Sequence, residues 1–243
     1  MSIAALNLTS GGSTTDGLSY NTASVSPGAN RLILVSVFMR KYGGGTFAPT
    51  VTGNGLTYVE VGSTTVPNMT GKIYLFRAMG ASPTTGAINI TDSGTGNCAD
   101  ITWCVDEFDG VDTSGTDGSG AIVQAVSATS ATASSGFTIT LAALGDATNN
   151  ATYSAIGNNK FSSTTPGSGY TELSDAVTGD IGQQSQWKLP GTTTPNITVV
   201  SSFASAGGTA VELKAAGGET ITVDKWFRNV QTPMRSRNEV VNY

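Results

Sequence analysis

The chain contains no histidine, and only 12% of its 243 residues are charged, about half the share of a typical soluble domain. Histidine is the usual general base, the commonest neutral metal ligand and the one side chain that titrates near neutrality without perturbation. Its absence excludes His-dependent triads and zinc hydrolases. No run approaches the roughly 18–20 consecutive apolar residues of a membrane span, and the start MSIAALNLTSGG has neither the basic nor the long apolar region of a secretory signal. A chain that is neither membrane-embedded nor exported by a cleaved leader is expected. Cysteine is nearly absent: Cys98 and Cys104 lie six apart in NCADITWC, which reads as a strand. An extended strand separates them by about 20 Å, against the roughly 7 Å between Cα atoms that a disulfide tolerates. Two free, buried thiols are predicted, which fits synthesis in a reducing cytoplasm. Gly-x-Ser-x-Gly, Gly-x-x-x-x-Gly-Lys and a dinucleotide fingerprint between strand and helix are missing too, which removes the common nucleophile and phosphate motifs.

Thr (36 residues), Ser (26) and Gly (31) are abundant, while strong helix formers are sparse. Thr suits a pleated, half-buried surface, and Gly, Ser and Asn suit tight connections, so the composition favours β structure with many turns. The clearest strand is RLILVSVFMR at 31–40, whose alternate sets Leu32/Leu34/Phe38 and Ile33/Val35/Val37/Met39 are both apolar. Such a strand is covered on both faces or lies centrally in a sheet. Further strands are predicted at 48–52, 56–62, 71–79, 86–91, 99–109, 121–126, 136–144, 151–156, 183–189, 196–203 and 208–214, nearly all bounded by Gly, Pro, Ser, Asn or Asp. Many short strands without an amphipathic helix predict an all-β fold, an antiparallel β-sandwich of jelly-roll type, as one domain over residues 1–215. No repeat period is visible.

Residues 216–243, AGGETITVDKWFRNVQTPMRSRNEVVNY, differ in composition from what precedes them. Residues 1–223 carry a net charge of −7 and residues 224–243 one of +2. An acidic body argues against nucleic acid as a partner, because phosphate neutralisation requires a basic patch. The C-terminal stretch reads as an extended arm that reaches up to about 80 Å at roughly 3.3 Å per residue, the alternative being a final strand that folds back and leaves a disordered end. Its candidate partner-binding residues are Lys225, Trp226, Phe227, Arg228, Arg235, Arg237 and Tyr243, since aromatic and Arg side chains dominate interface energies.

The acidic run Asp106, Glu107, Asp109 and Asp112, followed by Asp117, is the most site-like cluster in the body. Carboxylates converging in a Gly-containing loop suit calcium. Their spacing matches no standard calcium loop, and Asp and Gly equally mark a strand end and its turn, so the run reads as a solvated turn. Asp106 and Glu107 fall on opposite faces of a strand, which weakens them as a catalytic pair. Trp103, Trp187, Tyr58, Tyr74 and Tyr170 are candidates for a sugar-stacking platform, although aromatics alternating within strands suit a core equally well.

The succession SPGANRLILVSV, GNGLTYVEVG, KIYLFRAM, INIT and ITWCVDEFDGVDTSG, with a hydroxyl-rich strand downstream, resembles a sandwich module of tailed-bacteriophage structural proteins and of some bacterial surface proteins, over about residues 20–215. With an added arm, the chain is similar to phage capsid decoration, or cement, proteins. The resemblance implies a virion protein on the capsid exterior that contacts the major capsid protein, associates as a homo-oligomer with a trimer favoured, and acts without catalytic residues, cofactor, metal, nucleic acid or membrane. A receptor- or glycan-binding module of a tail fibre, spike or bacterial surface protein is the alternative.

Overall fold

The computed structural model describes residues 2–160 and 163–217. Strands β1 (Ala4–Ser13), β2 (Ser19–Val25), β3 (Leu32–Arg40), β4 (Pro49–Gly53), β5 (Leu56–Thr57), β6 (Val59–Val66), β7 (Gly71–Ala78), β8 (Gly86–Asp92) and β9 (Asp100–Asp109) build the first half. They form one sheet in the order β1-β9-β3-β7-β6 and a second in the order β2-β8-β4-β5. A single short 3-10 turn, Ser119–Ala121, leads to the second half. Its strands are β10 (Ile122–Ser130), β11 (Ser134–Thr138), β12 (Ala151–Asn158), β13 (Thr164–Pro166), β14 (Thr171–Thr178), β15 (Ile181–Lys188), β16 (Asn196–Phe203) and β17 (Ala206–Leu213). Their sheets run β10-β17-β12-β15-β14 and β11-β16-β13. All pairings are antiparallel. No helix among the described residues is long and apolar enough to cross a membrane.

The two halves share one strand order. With β5 and β6 counted as one chain segment, each half has eight segments, arranged first-eighth-third-sixth-fifth in the larger sheet and second-seventh-fourth in the smaller. This is the jelly-roll order, altered only in that the fifth segment sits beside the sixth. In the first half that segment begins as β5 beside β4 and then crosses to the other sheet as β6. The span 1–215, expected to hold one sandwich, therefore holds two, stacked through their five-stranded sheets.

In the stack, β1 lies over β14, β9 over β14 and β15, and β6 over β10 and β17. One sheet thus runs in reverse order over the other, as a half-turn about an axis along the strands would place it. The doubly apolar β3 serves both halves. Ile33, Val35, Val37 and Met39 pack toward the smaller sheet of their own half, whereas Leu32 and Leu34 meet Tyr153, Ala155 and Val211 of the second half. Separation would put that inner face into water at roughly 1.5–3 kcal/mol per large apolar side chain.

Glycine permits close approach where strands cross. Gly157 on β12 faces Phe38, and a Cβ there would lie 2.7 Å from the ring. Gly11 and Gly12 on β1 do the same beside Trp103 and the Ile101 carbonyl, so a segment rich in Ser, Gly and Thr forms an edge strand through packing. The strand predicted at 136–144 ends as a ladder at Thr138; Ile139 and Leu141 still donate to the Pro195 and Thr193 carbonyls at 3.0 and 2.8 Å. On β15 the polar run QQSQ is buried. Gln183 meets Thr102 and Ser36 of the first half, while Gln186 reaches Ser154 and the Asn196 carbonyl toward the outer sheet.

Three ion pairs fix the end of β3. Lys41 and Asp92, both fully buried, form an ion pair at 2.6 Å. Lys41 Nζ also donates to the carbonyls of Thr46 and Thr95, and Asp92 Oδ1 accepts from the Ala48 and Gly94 amides. Next to them, Arg40 pairs with Asp100 of its own sheet and, at 2.7 Å, with Asp180 at the β14–β15 turn of the other half.

Candidate functional site

A cleft of about 820 Å³ lies where the described chain ends. Ile122, Val123, Asp146, Asn149, Lys214 and Gly217 are among its lining residues. The segment leaving β17 is sewn across the connection between the halves. The Lys214 amide donates to the Ala121 carbonyl, the Asp112 amide to the Lys214 carbonyl, and the Ala216 amide to the Gly110 carbonyl, at 2.8–2.9 Å. Lys214 Nζ pairs with Asp112 Oδ2 at 2.6 Å and holds the Asp112 carboxyl down to about 2.

Glu212 supports one wall of this cleft. It is fully buried and accepts from Gln124 Nε2 at 2.7 Å, the Gly145 amide at 2.8 Å and Asn150 Nδ2 at 2.6 Å. These three donors satisfy its carboxyl oxygens and fix the 145–150 turn. The Asp146 carboxylate accepts from the Thr148 and Asn149 amides of its own turn, and Ser119 Oγ accepts from the Thr116 amide. These polar groups hold the walls, and Val123, 43% exposed, offers an apolar surface between them. Such an arrangement suits the seating of an apolar or basic segment.

The candidate arm residues Lys225, Trp226, Phe227, Arg228, Arg235, Arg237 and Tyr243 lie outside the described residues. The acidic run is not a solvated turn throughout. Asp106 and Glu107 are buried within β9, on opposite faces as their spacing requires. Glu107 accepts from Arg31 and from the Gly28 amide, both at 2.6 Å, whereas Asp106 faces the second half. The strand continues through both residues because the second sandwich covers it. Only from Asp109 does the run turn outward; Asp117 adopts the left-handed conformation of a turn at φ 51°. Among the described residues no group of three or more His, Cys, Asp or Glu side chains is placed to hold a metal ion.

The aromatic candidates do not form one platform. Trp103, Tyr74 and Tyr58 belong to the first sandwich core. Trp187 packs edge-on to Phe108 between the halves, and the Tyr170 hydroxyl bonds that of Thr192 in the second half. Cys98 and Cys104 are free and buried as expected, and burial pushes both thiols up to about 12. What sequence reasoning missed is the cleft wall: Gln124, Asn150 and Glu212 lie far apart in the chain and carry no motif. No family model, curated protein or solved structure matches the chain.

Proposed function

We propose that the chain is a non-catalytic structural protein of a tailed-phage virion that sits on the capsid exterior. It binds the major capsid protein through the arm at 216–243 and bridges neighbouring coat subunits as a homo-oligomer, with a trimer favoured. The observation that carries this reading is the use of polar and aromatic groups in the body. Asp106, Gln183 and Trp187 are taken up between the two jelly rolls, and Glu107, Trp103, Tyr58, Tyr74 and Tyr170 within one or the other, which leaves a low-charge scaffold beside the point where the chain continues into its basic, aromatic stretch. Several arms on one oligomer act at high effective concentration, and binding to the assembled shell alone stabilises it by mass action. The glycan-binding alternative drew on Trp103, Trp187 and Tyr170, which are taken up in separate packing sites.

The test is co-sedimentation with purified capsids of the phage that encodes the chain. The full chain is expected to pellet with capsids. A chain ending at Gly217 is expected to keep its β circular dichroism and lose affinity on the order of 100-fold or more. Equal pelleting by both chains contradicts the arm as the attachment element.

A further inference from the structure

The contact between the two sandwiches contains a polar layer closed to water. Ser36, Thr102 and Asp106 of the first half and Tyr153, Gln183 and Ser185 of the second are all buried there. Thr102 Oγ1 donates to Gln183 Oε1 at 2.8 Å, and Gln183 Nε2 donates to Ser36 Oγ. Asp106 is the one carboxyl group among these six. Its Oδ1 accepts from Asn7 Nδ2 at 2.8 Å and its Oδ2 from the Tyr153 hydroxyl at 3.0 Å.

No cation reaches Asp106 among the described residues. The ion pairs formed there join Arg31 to Glu107 and Asp109, Arg40 to Asp100 and Asp180, Lys41 to Asp92, and Lys214 to Asp112. Around Asp106 and the neighbouring Cys104 lie Asn7 from β1, Ser36 from β3, Tyr153 from β12, and Ser174 and Ser185 from β14 and β15. Apart from Asp106, only Cys104 and Tyr153 of these titrate, and burial keeps both neutral across the ordinary pH range. The other acids of β14 bond on the outer-sheet side, Asp175 to the Thr164 amide and Glu172 to Gln184.

We propose that Asp106 makes the contact between the two sandwiches a proton-operated latch, tightest when the carboxyl is neutral in mild acid and loosened when it ionises toward neutral pH. An ionised carboxylate buried without a counter-ion is costly, and hydrogen bonds from two neutral donors offset only part of that cost. Burial accordingly pushes the carboxyl up to about 6, against about 3.9 in an unfolded chain. Between those values the folded protein holds a proton that the unfolded chain has released. Stability therefore falls as pH rises from about 4 to about 6 and levels off above. The hydrogen-bonded or ion-paired carboxyls of Asp92, Asp112 and Asp180 are instead held low; their contribution is lost only on further acidification, so the two limbs separate on the pH axis. The latch is independent of what the arm binds.

The test is equilibrium urea unfolding of the full chain from pH 4 to pH 8. For the wild type the folding constant is expected to fall on the order of 100-fold between pH 4 and pH 7. In Asp106→Asn most of that fall disappears; Asp175, also raised by burial, is common to both chains and leaves the remainder. Tyr153→Phe removes one donor to the ionised carboxylate and is expected to move the falling limb to higher pH. The same fall in Asp106→Asn as in the wild type overturns the latch, as does a wild-type stability that is level or rises over this range. Where Asp106→Asn fails to fold, the Tyr153→Phe profile decides, and an unmoved limb overturns the proposal.

Discussion

Replacing Lys41 by methionine is expected to cost about 3–5 kcal/mol of folding free energy, the range seen when one partner of a buried ion pair is removed. Methionine preserves most of the side-chain volume, so the loss is electrostatic. Asp92 would remain fully buried with two amide donors and no cation, and the Thr46 and Thr95 carbonyls would lose their shared donor. Those contacts close the loops after β3 and β8 onto each other, so local opening there is expected to accompany the loss. The double variant Lys41→Met with Asp92→Asn should recover part of it, because the orphaned charge is gone. Urea titration of both variants checks this: a Lys41→Met midpoint indistinguishable from wild type would mean that the pair is dispensable.

The second large effect is expected from Phe108→Ala. Phe108 is fully buried in the core that joins the halves, with its ring edge-on to Tyr153 at 5.5 Å and to Trp187 at 6.2 Å. Truncation removes the transfer energy and leaves a cavity, together about 3–5 kcal/mol, and forfeits aromatic contacts worth about 0.5–1.5 kcal/mol. For a chain of this size that corresponds to a melting temperature lower by on the order of 10 °C. Leu6, exposed on β1, is the control, since its change to Ala should stay within about 0.5 kcal/mol. A Phe108→Ala melt as high as that of Leu6→Ala would show that the contact between the halves carries little of the stability.

The all-β sandwich was legible because apolar alternation and turn residues are local signals. RLILVSVFMR reads as covered on both faces or central in a sheet, since both of its faces are apolar, and β3 is both. The duplication was not legible. The halves meet through unequal partners, such as Phe38 above Gly157, so complementarity across the contact works against a repeated sequence. Strands β1, β2, β13 and β14 also escaped, because their Ser, Gly, Thr and Asp content reads as loop until a neighbouring sheet supplies the hydrogen-bond partners. The candidate sites fared by the same rule. A strand pattern places Asp106 and Glu107 on opposite faces, but only the second sandwich explains why both are buried. Glu212, Gln124 and Asn150 meet through contacts more than sixty residues long in sequence, which no local pattern encodes. The arm residues from Lys225 to Tyr243 lie outside the described residues, and their role rests on composition and charge.

The most direct test of the proposed role is quantitative mass spectrometry of purified virions from the phage that encodes this chain, with copy number taken relative to the major capsid protein. A copy number near that of the coat protein is predicted. A few dozen copies per particle or fewer would place the chain in a tail or spike, and its absence from particles would remove it from the virion.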